Sequence, residues 1–263
     1  MYDNRPIGIF DSGVGGLSIY QVVKKHLPQE SFVYLADQAN NPYGGRPEKE
    51  IQKLASNVVS FLAQKNVKIV IVACNTATVH AINELRSVFA IPIIGVVPVV
   101  KTLSRNTKSG KVAVFSTPAT AKSTYLSNLI KKFAPNIEVY KVGSSGLEHL
   151  VEQGVTEGRE IDKALKIALI PLVAKDVDSI ALGCTHYPFI ESQMKKVLGS
   201  KIKIYDSGIA VARRTKQVLE NENILAKRRV EDYFYTTGDD SKFKKVAEKL
   251  LGEKLAHVEK AVI

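Results

Sequence analysis

The sequence predicts an α/β fold of two similar halves, each a mostly parallel sheet flanked by helices. First, short apolar runs alternate with helix-length amphipathic stretches along nearly the whole chain, the pattern of parallel strands covered on both faces. Second, its two cysteines share one setting: Cys74 follows the apolar run Ile69 to Ala73, Cys184 follows Ser179 to Leu182, and helical periodicity comes after each. Third, the unit repeats. Phe10–Asp11–Ser12 aligns with Phe115–Ser116–Thr117, and Cys74–Asn75–Thr76 with Cys184–Thr185–His186, at similar separations. Ligands of such sheets bind beyond the carboxyl ends of strands, so both thiols are expected to face one cleft.

Taken in order, residues 6–10 (PIGIF) form a strand that ends in Asp11, Ser12 and the glycine turn 13–16. A helix is expected from about Val14 to His26, closed by Leu27–Pro28. Strand 32–36 ends at Asp37, and QANNPYGGRP (38–47) is dense enough in turn residues to be a functional loop. Helix 48–64, strand 68–73, helix 76–88 and strand 92–96 complete the first half. The pattern then restarts with a short helix to Leu103, strand 111–115, helix 119–133 and strand 138–142. Helices near 146–153 and 160–174, strand 179–182, a helix over 189–198 and strand 202–205 follow. The tail predicts helix 207–220, strand 232–236 and helix 239–250.

Composition narrows the function. At 263 residues with 45% apolar content, the chain has ample material for a packed core. Its longest apolar runs, such as 91–100, are short and broken by Pro92, Gly95 and Pro98, so no membrane span is expected. A strand beginning by Ile7 leaves no room for a signal peptide, and a cytoplasmic location with reduced thiols is the expectation. The net charge of +11 raises a nucleic-acid partner. However, the basic doublets recur once per element without an aromatic-rich basic segment, so they are expected to be solvated helix faces that favour a small anionic substrate.

The turn Gly13–Val14–Gly15–Gly16 after a strand, with Asp37 beyond, imitates a dinucleotide-binding unit. The spacing fails: the third glycine would fall on Ser18, and Asp11 would set a carboxylate beside the pyrophosphate. A tight turn that lets the helix pack closely accounts for these glycines.

A lone buried cysteine is commonly a small hydrophobe. Two of them, each between a strand and a helix start where N–H groups favour thiolate, point to chemistry. A disulfide is disfavoured in a reducing compartment, and a zinc site from Cys74, Cys184, His186 and His80 would lack any closely spaced cysteine pair. A nucleophilic Cys184 with His186 would leave Cys74 unexplained. Facing thiols suit removal of a proton from carbon by one and delivery to the opposite face by the other, inverting a stereocentre. Asp11, Asp37, Glu152 and His186 are the candidate assistants that would set thiol protonation. Ser12, Asn75, Thr76, Thr117, Thr120 and Thr185, all at or just past strand ends, form a candidate rim for carboxylates.

These segments resemble the glutamate racemases of the cofactor-independent aspartate/glutamate racemase superfamily. The matches are IGIFDSGVGGL (7–17), LADQANNPYG (35–44), ACNTA (73–77), STPAT (116–120), LVEQG (150–154), ALGCTHYP (181–188), DSGIAVARR (206–214) and YTTGDDSKF (235–243), which span almost the whole chain. The resemblance implies interconversion of L- and D-glutamate for peptidoglycan synthesis, with no cofactor and no metal. It implies that Cys74 deprotonates D-glutamate and Cys184 L-glutamate, with Asp11 and His186 assisting and Asp37 and Glu152 in support. Asp11, Ser12, Tyr43, Gly44, Asn75, Thr76, Thr117, Thr120, Thr185 and His186 would hold the substrate. It further implies two pseudo-symmetric domains, 1–97 plus 208–263 and 98–207, the active site in the cleft between them, and a homodimer. The sequence departs from the family's pattern at Ser116, where glycine is expected, and at Pro47, where a helix-capping hydroxyl is usual. The alternatives are a related racemase or decarboxylase acting on another acidic substrate, and a basic-surface nucleic-acid-binding or regulatory protein.

Overall fold

The structure, a computed structural model, describes residues 2–263, which divide into two compact units, residues 2–96 with 208–263, and residues 97–207.

The first unit opens with strand β1 (Ile7–Asp11), helix α1 (Leu17–His26), β2 (Phe32–Ala36), α2 (Glu48–Gln64), β3 (Ile69–Val72), α3 (Asn75–Val88) and β4 (Ile93–Gly95). The second unit supplies α4 (Val100–Asn106), β5 (Lys111–Ser116), α5 (Pro118–Lys122), α6 (Thr124–Phe133), β6 (Glu138–Gly143), α7 (Leu147–Glu152), α8 (Arg159–Val173), β7 (Ser179–Gly183), α9 (Glu191–Leu198) and β8 (Lys203–Tyr205). The chain then re-enters the first unit with α10 (Gly208–Asn221), β9 (Tyr233–Thr236), α11 (Asp240–Leu251) and β10 (His257–Lys260).

In the first unit the strand order is β10-β9-β2-β1-β3-β4, with every neighbouring pair parallel. Strands β1, β2 and β3 are buried along their length, which is why they are unbroken apolar runs rather than alternating ones. Phe10, Leu35, Val70 and Val72 pack with Val58, Val59 and Leu62 of α2 and Ala81 and Leu85 of α3. An aromatic cluster in the same unit joins α1, the sheet and α11: Tyr20 meets Phe32 and Phe234 edge-on, each at 5.3 Å, and Tyr34 stacks on Phe243.

The second unit has the order β6-β5-β7-β8, again all parallel. This repeats β2-β1-β3-β4 strand for strand, so β5 corresponds to β1 and β7 to β3. Its core gathers Val112, Val114 and Ala181 of the sheet with Leu103 of α4 and Leu126 of α6.

Four local expectations are corrected. Helix α1 begins at Leu17, because residues 13–16 form tight turns whose carbonyls at Val14 and Gly15 accept from Leu17 and Ser18. The helix expected over 119–133 is two helices, broken at extended Ser123, whose hydroxyl donates to Thr120 O and accepts from Leu126 N. The stretch after Cys184 is a single 3-10 turn, Tyr187–Ile190, with α9 starting only at Glu191. The strand β10 was not anticipated: HVEK is polar, half-exposed and at the sheet edge, so the apolar signal that marks interior strands is missing.

Candidate functional site

Each unit presents a buried thiol just beyond an equivalent strand, Cys74 after β3 and Cys184 after β7, and neither is in a disulfide.

In the first unit, Cys74 is the N-cap of α3, and its Sγ accepts a hydrogen bond from Ala77 N at 3.4 Å. The Ser12 hydroxyl lies 3.7 Å from the same sulfur. Asp11, fully buried at the end of β1, accepts from Gly13 N at 2.9 Å, so the glycine turn is closed on a carboxylate of the chain itself. Gly16 must be glycine: a Cβ there would come within 2.7 Å of Asp11 Cβ and 3.0 Å of Ala73 Cβ. The turn thus brings Asp11 and the strand end before Cys74 together.

Asn75 and Thr76, both buried, begin α3. The Asn75 Oδ1 atom is sequestered with no hydrogen-bond partner among the described residues, an acceptor suited to a ligand's N–H groups. Asp37, fully buried, accepts from the Tyr43 hydroxyl at 2.6 Å, from Asn40 Nδ2 and from the Thr237 hydroxyl at 2.8 Å. Burial pushes the Tyr43 phenol well up, and the Asp37, Cys74 and Asp11 charges add to it, so Tyr43 stays protonated and donates. Gly44 follows Tyr43 in the loop, and Asn41 donates to Ser12 O at 3.1 Å, tying that loop to the end of β1.

In the second unit the polar side chains form a line. The Cys184 sulfur lies 3.5 Å from His186 Nδ1, and His186 Nε2 lies 2.6 Å from Glu152 Oε1. Burial lowers the His186 pKa, but hydrogen bonds and charge from Cys184 and Glu152 outweigh it and raise the imidazole well above its ordinary value. Capping by an α-helix N-terminus therefore belongs to Cys74, while Cys184 has a histidine as its polar partner. Thr117 caps α5 and donates to the Thr120 hydroxyl at 3.3 Å, and Thr120 and Thr185 are both buried.

Sequence reasoning missed several contributors. Tyr187 stacks on Phe115 at 4.6 Å and donates to the carbonyls of Ser116 and Ser144, fixing the end of β5 beside Cys184. Burial, then the charges of Cys184 and Glu148, push its phenol well up. Tyr187 was visible as part of GCTHYP. Glu148, one turn before Glu152 on α7, carried no motif signal. Asn40 and Thr237 lie within the matched segments 35–44 and 235–243, but the contacts that give them a role, within a loop or distant in sequence, are not visible there. Pro47 precedes α2 with no side-chain cap, as its lack of a hydroxyl requires. Among the described residues, no group of three or more His, Cys, Asp or Glu side chains is gathered in a metal-binding arrangement. Nor is any helix long and apolar enough to cross a membrane.

Comparison with known proteins gives a consistent result. Residues 8–215 match the family model described as Asp/Glu/Hydantoin racemase. The chain is 42% identical over 238 residues to a glutamate racemase of Deinococcus radiodurans, covering 89% of this chain and 82% of the relative. In structure it is similar to a glutamate racemase isoform from Bacillus anthracis, with a TM-score of 0.87, 33% identity, and coverage of 100% and 98% of the two chains. It is similar also to a Francisella tularensis glutamate racemase in complex with D-glutamate, with a TM-score of 0.86, 34% identity, and coverage of 99% and 98%.

Proposed function

The chain belongs to the Asp/Glu/hydantoin racemase family, among the glutamate racemases, and on that premise we propose that it interconverts L- and D-glutamate by acid–base chemistry at Cys74 and Cys184. The observation that carries this reading is the repeat: two sheets of matching strand order, each with a reduced thiol beyond the same strand. A single-thiol reaction gives no reason for the second.

In this reading one thiolate removes the α-proton while the opposite thiol donates to the other face, and the roles exchange in the reverse direction. Ser12 and Asp11 support Cys74; His186, held by Glu152, supports Cys184. The buried Asn75 Oδ1 accepts from the substrate ammonium, while Thr76, Thr117, Thr120, Thr185 and the Tyr43–Gly44 loop hold the carboxylates. Asp37 acts through Tyr43, its hydrogen-bond donor. The enzyme would supply D-glutamate for peptidoglycan, in the cytoplasm and as a homodimer.

The test is racemisation in deuterated water across a panel of acidic amino acids, with no cofactor added. Each glutamate enantiomer should gain deuterium at the α-carbon as it inverts. Protein that neither inverts nor exchanges glutamate would end the proposal.

A further inference from the structure

The loop that carries Tyr43 and Gly44 is fastened at a point far from it in sequence. Thr237 lies just past β9, which pairs with β2 in the sheet, and its backbone N–H extends that pairing by donating to Ala36 O at 3.0 Å. Its hydroxyl is used twice: it donates to Asp37 Oδ1 at 2.8 Å and accepts from Ala39 N at 2.9 Å. The neighbouring Thr236 hydroxyl donates to Gln38 Oε1 at 2.9 Å. Gly238 completes the seam, since a Cβ there would approach Gln38 Cβ to 3.0 Å.

Asp37 has no exposure to water, so its carboxylate depends on protein donors. One oxygen accepts from Thr237 and Asn40; the other accepts from Asn40 and from the Tyr43 hydroxyl at 2.6 Å. Losing the Thr237 donor frees the carboxylate to rotate, which moves the acceptor that fixes Tyr43. Losing its acceptor role releases Ala39 in the same loop.

We propose that Thr237 is a positioning residue for the substrate loop of the first unit, acting through Asp37 on Tyr43. This rests on the reading above that Tyr43 and Gly44 hold a glutamate carboxylate. A carboxylate contact is made equally in ground and transition states, so the effect falls on KM rather than kcat.

The experiment compares wild type with Thr237→Val, which keeps the shape without the hydroxyl, and Thr237→Ser, which restores it. Thr237→Val should raise KM for both enantiomers by about five- to tenfold, the scale of one typical net hydrogen bond, with kcat within about twofold. Thr237→Ser should return KM to near the wild-type value. A lower melting temperature in Thr237→Val with unchanged KM, or failure of Thr237→Ser to restore KM, would overturn the proposal. A second readout is independent of turnover: the 13Cζ resonance of Tyr43 should shift in Thr237→Val and return in Thr237→Ser. An unmoved resonance refutes the Thr237–Tyr43 link, whereas inactive wild type with a shifted resonance refutes the glutamate reading alone.

Discussion

Oε1 of Glu152 stands 2.6 Å from Nε2 of His186, and the two side chains are only 12% and 6% exposed. Burial alone would keep the imidazole neutral, but hydrogen bonds and charge from Cys184 and Glu152 raise its pKa well above the ordinary value. The raised pKa favours the imidazolium, the form that can donate from both ring nitrogens, to Glu152 on one side and to Cys184 on the other. In that form it is a proton donor placed 3.5 Å from the Cys184 sulfur.

The Glu152→Gln substitution keeps the shape and removes the charge. The His186 pKa should fall, read from the imidazole resonances as a function of pH. The sign for stability follows from linkage: a folded pKa raised above about 6.5 stabilises fully below that value, and the contribution is lost as pH rises through the folded pKa. The variant's stability deficit should thus be largest between about pH 5 and 6.5 and should narrow as pH rises. A His186 midpoint equal to the wild type would remove Glu152 from this role.

The fold was largely legible because interior parallel strands are unbroken apolar runs and their helices are amphipathic. β2 and α2 lie within the residues that the pattern predicts, whereas β10 has no apolar signal because it is an edge. The thiols and His186 were legible because chemistry-bearing residues recur at strand ends. What sequence hid is contact between distant segments: Thr237 on Asp37, or Tyr187 on the carbonyls of Ser116 and Ser144. The helix predicted over 189–198 starts two residues late for a local reason: a 3-10 turn with Pro188 in its first turn occupies residues 187–190 before α9.

Replacing either thiol tests the opposed-base reading. Cys74→Ser and Cys184→Ser should each lower kcat/KM for inversion by about 10²- to 10⁴-fold, the range for loss of a positioned acid or base. Because enantiomers have equal free energy, the fall must be the same in both directions for each variant. α-Hydrogen exchange without inversion need not be symmetric: Cys74→Ser should retain it for L-glutamate and Cys184→Ser for D-glutamate. Inversion at the wild-type rate in either variant would refute the two-thiol mechanism.

Gly183 and Ser116 make a paired prediction about the strand ends that carry the second half-site. A Cβ at Gly183 would lie 2.8 Å from Ser116 Cβ and 3.3 Å from Pro98 Cγ. Gly183→Ala should therefore cost about 1–3 kcal/mol by overpacking and reduce activity by displacing Cys184. Ser116→Gly removes the closest of these atoms, so the double variant should recover part of both losses. Urea denaturation and steady-state rates measure this. A double variant no better than Gly183→Ala would assign the strain elsewhere.

The last prediction concerns the fully buried Lys68, whose Nζ lies 2.6 Å from Glu30 Oε2 and donates to Asp3 O at 2.7 Å and Ile224 O at 2.8 Å. Glu30 in turn accepts from Ala226 N at 2.9 Å, so one ion pair fastens the amino-terminal segment and the segment before β9 to the base of the sheet. The pair is nearly dry, its side chains 0% and 2% exposed, so solvent screening is weak and removing one partner leaves an uncompensated charge. Lys68→Met should cost about 3–5 kcal/mol in urea denaturation, while Lys68→Met with Glu30→Gln should recover part of that by removing the stranded carboxylate. Neither residue contacts the thiol sites, so kcat of the folded protein should stay close to wild type at temperatures well below unfolding. A Lys68→Met variant as stable as the wild type would show that these carbonyls and Glu30 are satisfied without the lysine.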